Sequence, residues 1–491
     1  MRVAKRPARN EPGDMGPRAQ RAPGNRKARV AEPSGAVDIE DAGGSPDCDV
    51  CKHHHPFLVP PELVSAIRKR RVLVFAGAGI STESHTAYPA TLSETLADDL
   101  GLEARGRSFP ALMSTYQDRR GRARLLQEIK SRLDYAVSFP EVKYMATRFH
   151  REMSTIPMLD AIVTTNWDTF FEDMTGATPM VIPEDYAFWD FPGRKVYKIH
   201  GSITNLGSVV ATTEDYAACY RRLSRGIIGA SLKHLLGTRI PLFVGYSFGD
   251  EDFQRIYRYL RRELKAVLPR AYIVTLDHRV TPATHDGASV IHTDASYFMS
   301  RIKTRLVDEG SILADERFDG VARRLDRVIA AHRSSLPKLG SVHSYPTLTH
   351  AYVYLDGQRH GLQRILAQMR TGEYSHEHDV YRKIRAYDPL LRRALSRRKY
   401  TEVAYITGYQ DAMLYLLVPD HVRREAPTYF AFGAAGGVRT LSEFRKVLHD
   451  SPLIHKAAYQ EAKRWTAVRG AEVVPHHWAF LDPDLATSAP G

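Results

Sequence analysis

The chain has 491 residues, a length that suggests roughly two to four folded units and excludes one small module. Apolar residues make up 43% and charged residues 25%, so a core can be buried and the chain as a whole is not of disordered composition. Lys plus Arg outnumber Asp plus Glu by 69 to 56, a formal net charge of +13, which favours contact with anions such as phosphates, nucleotides or nucleic acid.

The three cysteines, Cys48, Cys51 and Cys219, exclude a disulfide framework and fit a reducing compartment. No run of about 18 apolar residues suits a membrane-spanning helix, and no apolar stretch near Met1 suits a secretory signal. A soluble, cytoplasmic protein is expected.

In chain order, residues 1–56 are rich in Pro, Gly, Ala and Arg and poor in large apolar side chains. Such a segment cannot offset its own ordering entropy, and a disordered basic tail is predicted. Nine basic and two acidic residues lie between Met1 and Val30; a solvated tail is preferred there to a nucleic-acid or membrane-surface arm. Within the tail, Cys48-x-x-Cys51-x-His53-His54-His55 holds donors of the kind zinc takes, although a merely polar, His-rich segment is the preferred reading and no metal is expected.

From Phe57 the character changes. Pro60-Pro61-Glu62-Leu63 starts a helix, with proline where a missing N–H costs little. Short β-branched runs then follow at Arg71–Phe75, Ala161–Thr165, Met180–Ile182, Val196–Ile199, Leu242–Gly245, Tyr272–Leu276 and Ser289–His292. Separated by helical stretches, they read as strands buried on both faces of a parallel sheet. The predicted class is α/β, a doubly wound Rossmann-like parallel sheet spanning residues 57–310.

Leu92–Arg151 carries helical spacing without a strand and is predicted to be a helical insert. Residues 311–491 are predicted to form a mainly α-helical C-terminal domain, with helices at Leu362–Met369 and Tyr381–Leu395. The basic cluster Arg392-Arg393-x-x-x-Arg397-Arg398-Lys399 reads best as the solvated face of a helix.

Four motifs stand at predicted strand exits. Val74-Phe75-Ala76-Gly77-Ala78-Gly79-Ile80-Ser81 is a strand running into a glycine turn that lets backbone approach a pyrophosphate. It lacks the third glycine of a dinucleotide fingerprint and the acid about twenty residues on, so an ordinary dehydrogenase is disfavoured. Thr164-Thr165-Asn166-Trp167-Asp168 places polar groups in the crevice of an open sheet, or else caps a helix over Thr169–Met174. Lys198-Ile199-His200-Gly201 offers a base near neutral pH, although a lone histidine is more often structural. Gly245-Tyr246-Ser247-Phe248-Gly249-Asp250 is again a glycine turn before an acidic helix start.

Taken together, the four resemble the sirtuin (Sir2-like) family over about Phe57–Lys303. Its Gly-Ala-Gly-x-Ser loop is matched by Gly77–Ser81, its Thr-x-Asn-x-Asp by Thr164–Asp168 and its His-Gly by His200–Gly201. Gly245–Phe253 is similar to the loop of the branch associated with bacterial anti-phage defence. The resemblance implies NAD as substrate, cleaved at its nicotinamide–ribose bond, with Asn166, Asp168 and His200 catalytic. It further implies that Gly77, Ala78, Gly79 and Ser81 cradle phosphate, that Gly245 and Ser247 lie nearer the adenosine, and that Ile80, Thr165 and Gly201 complete the nucleotide site.

The family's zinc ribbon needs four cysteines after His-Gly, where only Cys219 stands. Its Gly-Ile-Pro-Asp-Phe-Arg is replaced by Thr82–Pro89. Loss of the acyl-lysine apparatus makes water the expected acceptor and the chain an NAD hydrolase, gated by a homo-oligomeric assembly or an activating ligand or protein. A protein deacylase or mono-ADP-ribosyltransferase, and a non-catalytic NAD or ADP-ribose sensor, are the alternatives.

Overall fold

A computed structural model describes residues 48–469, apart from 82, 85–86, 247–250, 286, 424–425 and 435–437. The expected tail up to residue 47, and Ser247, lie outside the described residues.

All seven predicted strands form: β1 (Val72–Ala76), β2 (Ala161–Thr164), β3 (Thr178–Met180), β4 (Lys195–Lys198), β5 (Ile240–Val244), β6 (Tyr272–Thr275) and β7 (Ser289–His292). They make one parallel sheet in the order β3-β4-β2-β1-β5-β6-β7. Alternate residues feed two cores. Val72, Val74, Ile162, Val196 and Leu242 pack with Phe298, Met299 and Ile302 on one face; Leu73, Phe75, Val163, Tyr197 and Phe243 pack with Leu232, Leu235 and Leu236 on the other. Covering both faces explains why the strands read as unbroken apolar runs.

Most strand ends differ from expectation by one or two residues, and two of the differences have a clear local cause. Ile182 leaves β3 because Pro183 opens a 3-10 turn, Pro183–Phe188. β5 stops at Val244 because Gly245 turns to φ +56°, outside the β region.

The chain reverses its direction of winding at β1, whose neighbours are β2 and β5. The crevice beyond the carboxyl ends of these strands is where open α/β sheets bind ligands. Between β1 and β2 stand the helices Leu92–Asp99, Phe109–Arg120, Arg122–Ser138, Pro140–Ala146 and Arg148–Ser154. The insert closes its own core of Leu92, Leu96, Leu112, Met113, Tyr116, Leu125 and Ile129 against Val209 and Ala211, which follow β4.

A separate core, from Phe318 to Leu448, fills the helical C-terminal region. Its central helices, Leu348–Gln368 and Tyr400–Leu417, cross closely: a Cβ on Gly361 would stand 2.6 Å from the Ala412 Cβ. The expected single helix over Tyr381–Leu395 is broken into Glu377–Ala386 and Asp388–Ser396, since Pro389 suits a helix start and not an interior. Among the described residues, no helix is long and apolar enough to cross a membrane.

The expected tail boundary at Pro56 is too late. Cys51–His53 form a 3-10 turn, and His54 stacks on Tyr297 with ring centroids 4.6 Å apart. The Asp294 N–H donates to the His53 carbonyl at 3.0 Å and the Thr293 hydroxyl to that of His55 at 2.9 Å. These long-range contacts order a segment that local composition leaves unsupported.

Candidate active site

Hydrogen bonds between neighbouring strand exits build the site. The Thr164 hydroxyl donates to the Ala76 carbonyl (3.0 Å) and accepts from the Asn166 N–H (3.0 Å), turning the chain out of β2. The Asn166 carboxamide Nδ2 then donates to the Gly77 carbonyl (3.3 Å) and to Ser81 Oγ (3.1 Å). Ser81 Oγ in turn donates to Asp168 Oδ2 at 3.1 Å.

The other carboxylate oxygen of Asp168 accepts from the Phe170 N–H at 3.1 Å, at the start of the helix Phe170–Thr175. Asp168 therefore anchors a helix start with one oxygen while the other meets Ser81. Ser81, Asp168 and Asn166 are 0%, 4% and 5% exposed. Asn166 Oδ1 is buried without a hydrogen-bond partner, a costly state for an amide oxygen unless a ligand or water satisfies it.

His200 arrives from the next strand. The Ile199 N–H extends the β2–β4 ladder to the Thr164 carbonyl at 3.1 Å, which sets His200 at the carboxyl end of β4. Its ring meets Tyr216 edge-on, centroids 4.9 Å apart, and the residue is 3% exposed. Gly201 adopts φ +84°, and a Cβ there would stand 2.7 Å from Ser208 Oγ. Only glycine suits this turn. The Ile203 N–H donates to the Trp167 carbonyl at 2.9 Å and ties the β2 and β4 exit loops together.

The glycines of the β1 exit also join two loops. The Gly77 N–H donates to the Val244 carbonyl and the Gly79 N–H to that of Gly245, both at 3.0 Å, while the Ser81 N–H donates to the Ala78 carbonyl at 3.0 Å. A Cβ on Gly79 would lie 2.9 Å from the Gly245 carbonyl oxygen, and one on Gly245 would lie 2.5 Å from Ile80 Cγ2. Their smallness lets the β1 and β5 exit loops touch, and the Gly77 and Gly79 N–H groups serve that contact. Ile80 is buried beneath it and Thr165 is half-buried, its N–H held by the Ala76 carbonyl at 3.4 Å.

Three polar residues beneath the site escape motif reading. Lys198, 1% exposed, donates to the Asp168 main-chain carbonyl and to Glu172 Oε1, the latter at 3.0 Å. Burial pushes the Glu172 carboxyl up from its ordinary range, opposed by the Lys198 ammonium. His150 lies wholly buried against Phe170 and Phe171, ring centroids 5.7 and 4.4 Å away. Burial pushes its imidazole down to about 4. The available signal is a lysine inside the otherwise apolar run Val196–Ile199.

Among the described residues, no group of three or more His, Cys, Asp or Glu side chains is placed to hold a metal ion. Cys48 and Cys51 are free thiols, and Cys219 is buried against β4, its thiol 3.4 Å from the Ile199 carbonyl. In the C-terminal basic cluster, Arg392, Arg397 and Arg398 are exposed.

Residues 160–294 match the family model for the SIR2-like domain. The exits of β2, β4 and β5 all fall within this stretch of similarity to a SIR2-like domain. Among individual proteins, the chain is similar to the NAD(+) hydrolase ThsA of Enterococcus faecium, 29% identical over 210 residues, which are 41% of this chain and 42% of that protein. It is also similar to the NAD(+) hydrolase ThsA of Cytobacillus dafuensis, 28% identical over 208 residues, 41% and 40% of the two chains. A third NAD(+) hydrolase ThsA, from Bacillus cereus (strain MSX-D12), is 24% identical over 213 residues, 41% and 42% of the two. The chain thus spans about two fifths of the length of the curated relatives it matches.

Proposed function

We propose that this chain hydrolyses NAD at the nicotinamide–ribose bond, releasing nicotinamide and ADP-ribose. The observation that carries the reading is the buried, unpartnered Asn166 Oδ1 beside the Ser81–Asp168 hydrogen bond, at the crevice where β1, β2 and β5 end. The names of the relatives support the choice of substrate.

In this reading NAD lies across the crevice, with its diphosphate by the Gly77–Ser81 turn and its adenosine toward Gly245 and Ser247. Cleavage breaks the ribose C1′–N bond, and the electron pair leaves with nicotinamide, neutralising its pyridinium charge. The sugar carbon gains oxocarbenium character, which a nearby carboxylate stabilises. Asp168 supplies that charge and accepts from ribose hydroxyls. Asn166 Oδ1 orients the attacking water or the ribose, and His200 takes the water proton as oxygen bonds to C1′.

Water is the acceptor because the features that would seat an acyl-lysine are absent from the sequence. The helical C-terminal region senses a signal or mediates assembly and gates the hydrolase, and the Gly245–Phe253 resemblance supports a role in anti-phage defence. Chromatography of NAD incubated with purified chain tests the reading. Free nicotinamide with unattached ADP-ribose supports hydrolysis, whereas ADP-ribose attached to protein turns it toward transfer.

A further inference from the structure

Lys198 is a charge that the proposed chemistry does not use, and it is almost wholly buried. Taking an ammonium out of water costs several kcal/mol, which only close, well-aligned partners offset. Its partners are informative. One is the main-chain carbonyl of Asp168; the other is the carboxylate of Glu172, in the first turn of the helix that Asp168 itself anchors. In register, Lys198 is opposite Thr164, the last residue of β2, so its side chain reaches under the loop that carries Asn166 and Asp168.

We propose that Lys198 is a positioning residue, clamping the β2 exit loop from below so that the Asp168 carboxylate is held against Ser81 and toward the crevice. The loop is then gripped at three points. Lys198 holds the Asp168 carbonyl, the Phe170 N–H holds one carboxylate oxygen and the Ser81 hydroxyl holds the other. Glu172 fixes the ammonium and ties it to the helix, so loop and helix move as one body. The acid of the site owes its direction to a cation on the neighbouring strand, two residues before His200.

The proposal rests on the NAD-cleaving reading for its catalytic readout but not for its structural one. In the full-length chain, Lys198→Met removes the charge and keeps the stem. The expected result is a folded protein whose Phe170 amide exchanges with deuterium at least about tenfold faster, and whose kcat for nicotinamide release falls about tenfold or more while KM stays within about threefold. A folded Lys198→Met chain in which either the exchange or kcat is unchanged overturns the proposal. Should this variant fail to fold, Glu172→Gln replaces it, with both changes expected in the same direction at about threefold and an unchanged pair overturning it. If the unaltered chain releases no nicotinamide, the substrate reading fails, and the Phe170 exchange alone decides the role of Lys198.

Discussion

Asn166, Asp168 and Ser81 form one chain of hydrogen bonds. Asn166→Ala and His200→Ala are each expected to lower nicotinamide release by about 10²-fold or more, with circular dichroism and melting temperature near those of the unaltered chain. His150 gives a pH signature. Its imidazole titrates near 6.5 when unfolded and about 4 when folded, so the unfolded chain binds the proton first and stability falls as pH drops through that window. The interval corresponds to about 3 kcal/mol lost by pH 4. Melting curves at pH 7 and pH 4.5 should show a smaller acid loss for His150→Leu than for the unaltered chain; equal losses would refute it. Asp168, Arg151 and Lys198 are the charges acting on this ring and are unchanged by the substitution.

At the scale of elements, all seven strands were legible because both faces of the sheet are covered, which leaves short β-branched runs that helices cannot imitate in length. Their ends were less so. Ile182 and Gly245 are apolar or small, and only the proline turn and the positive φ that follow remove them from the ladder. The helix break at Tyr387 is signalled by Pro389, although apolar periodicity runs on through it. The candidate site was legible where it is made of motif residues at strand exits. It was illegible for Lys198 and His150, whose roles come from contacts with elements distant in sequence, and for Cys48–His55, which are ordered by Thr293–Tyr297. The loop contact between the exits of β1 and β5 is testable at this scale. Gly245→Ala drives a Cβ to 2.5 Å from Ile80 and demands a positive φ of alanine, with an expected cost of about 1–3 kcal/mol read as a lowered denaturation midpoint. A midpoint equal to that of the unaltered chain would contradict the packing role assigned to these glycines.

In the molecule as a whole, the helical C-terminal region meets the segments that lead into β1 and β2. The Leu313 N–H donates to the Ser375 carbonyl at 2.7 Å, and Arg70, just before β1, joins the Pro157 carbonyl (2.9 Å) to Asp379 (3.3 Å). Ser154 Oγ also donates to the Arg370 carbonyl, linking this region to the helix that carries His150. A gate acting from the helical half would pass through that junction, and Asp379→Asn, which weakens it, should change the rate of nicotinamide release without changing the site residues; an identical rate across protein concentrations would argue against coupling there. The most direct test of the central claim is the product assay on the full-length chain, repeated over a range of protein concentrations. Release of nicotinamide and free ADP-ribose in equal amounts, abolished by Asn166→Ala, is the expected result. NAD bound at the crevice yet recovered intact at every concentration would contradict it.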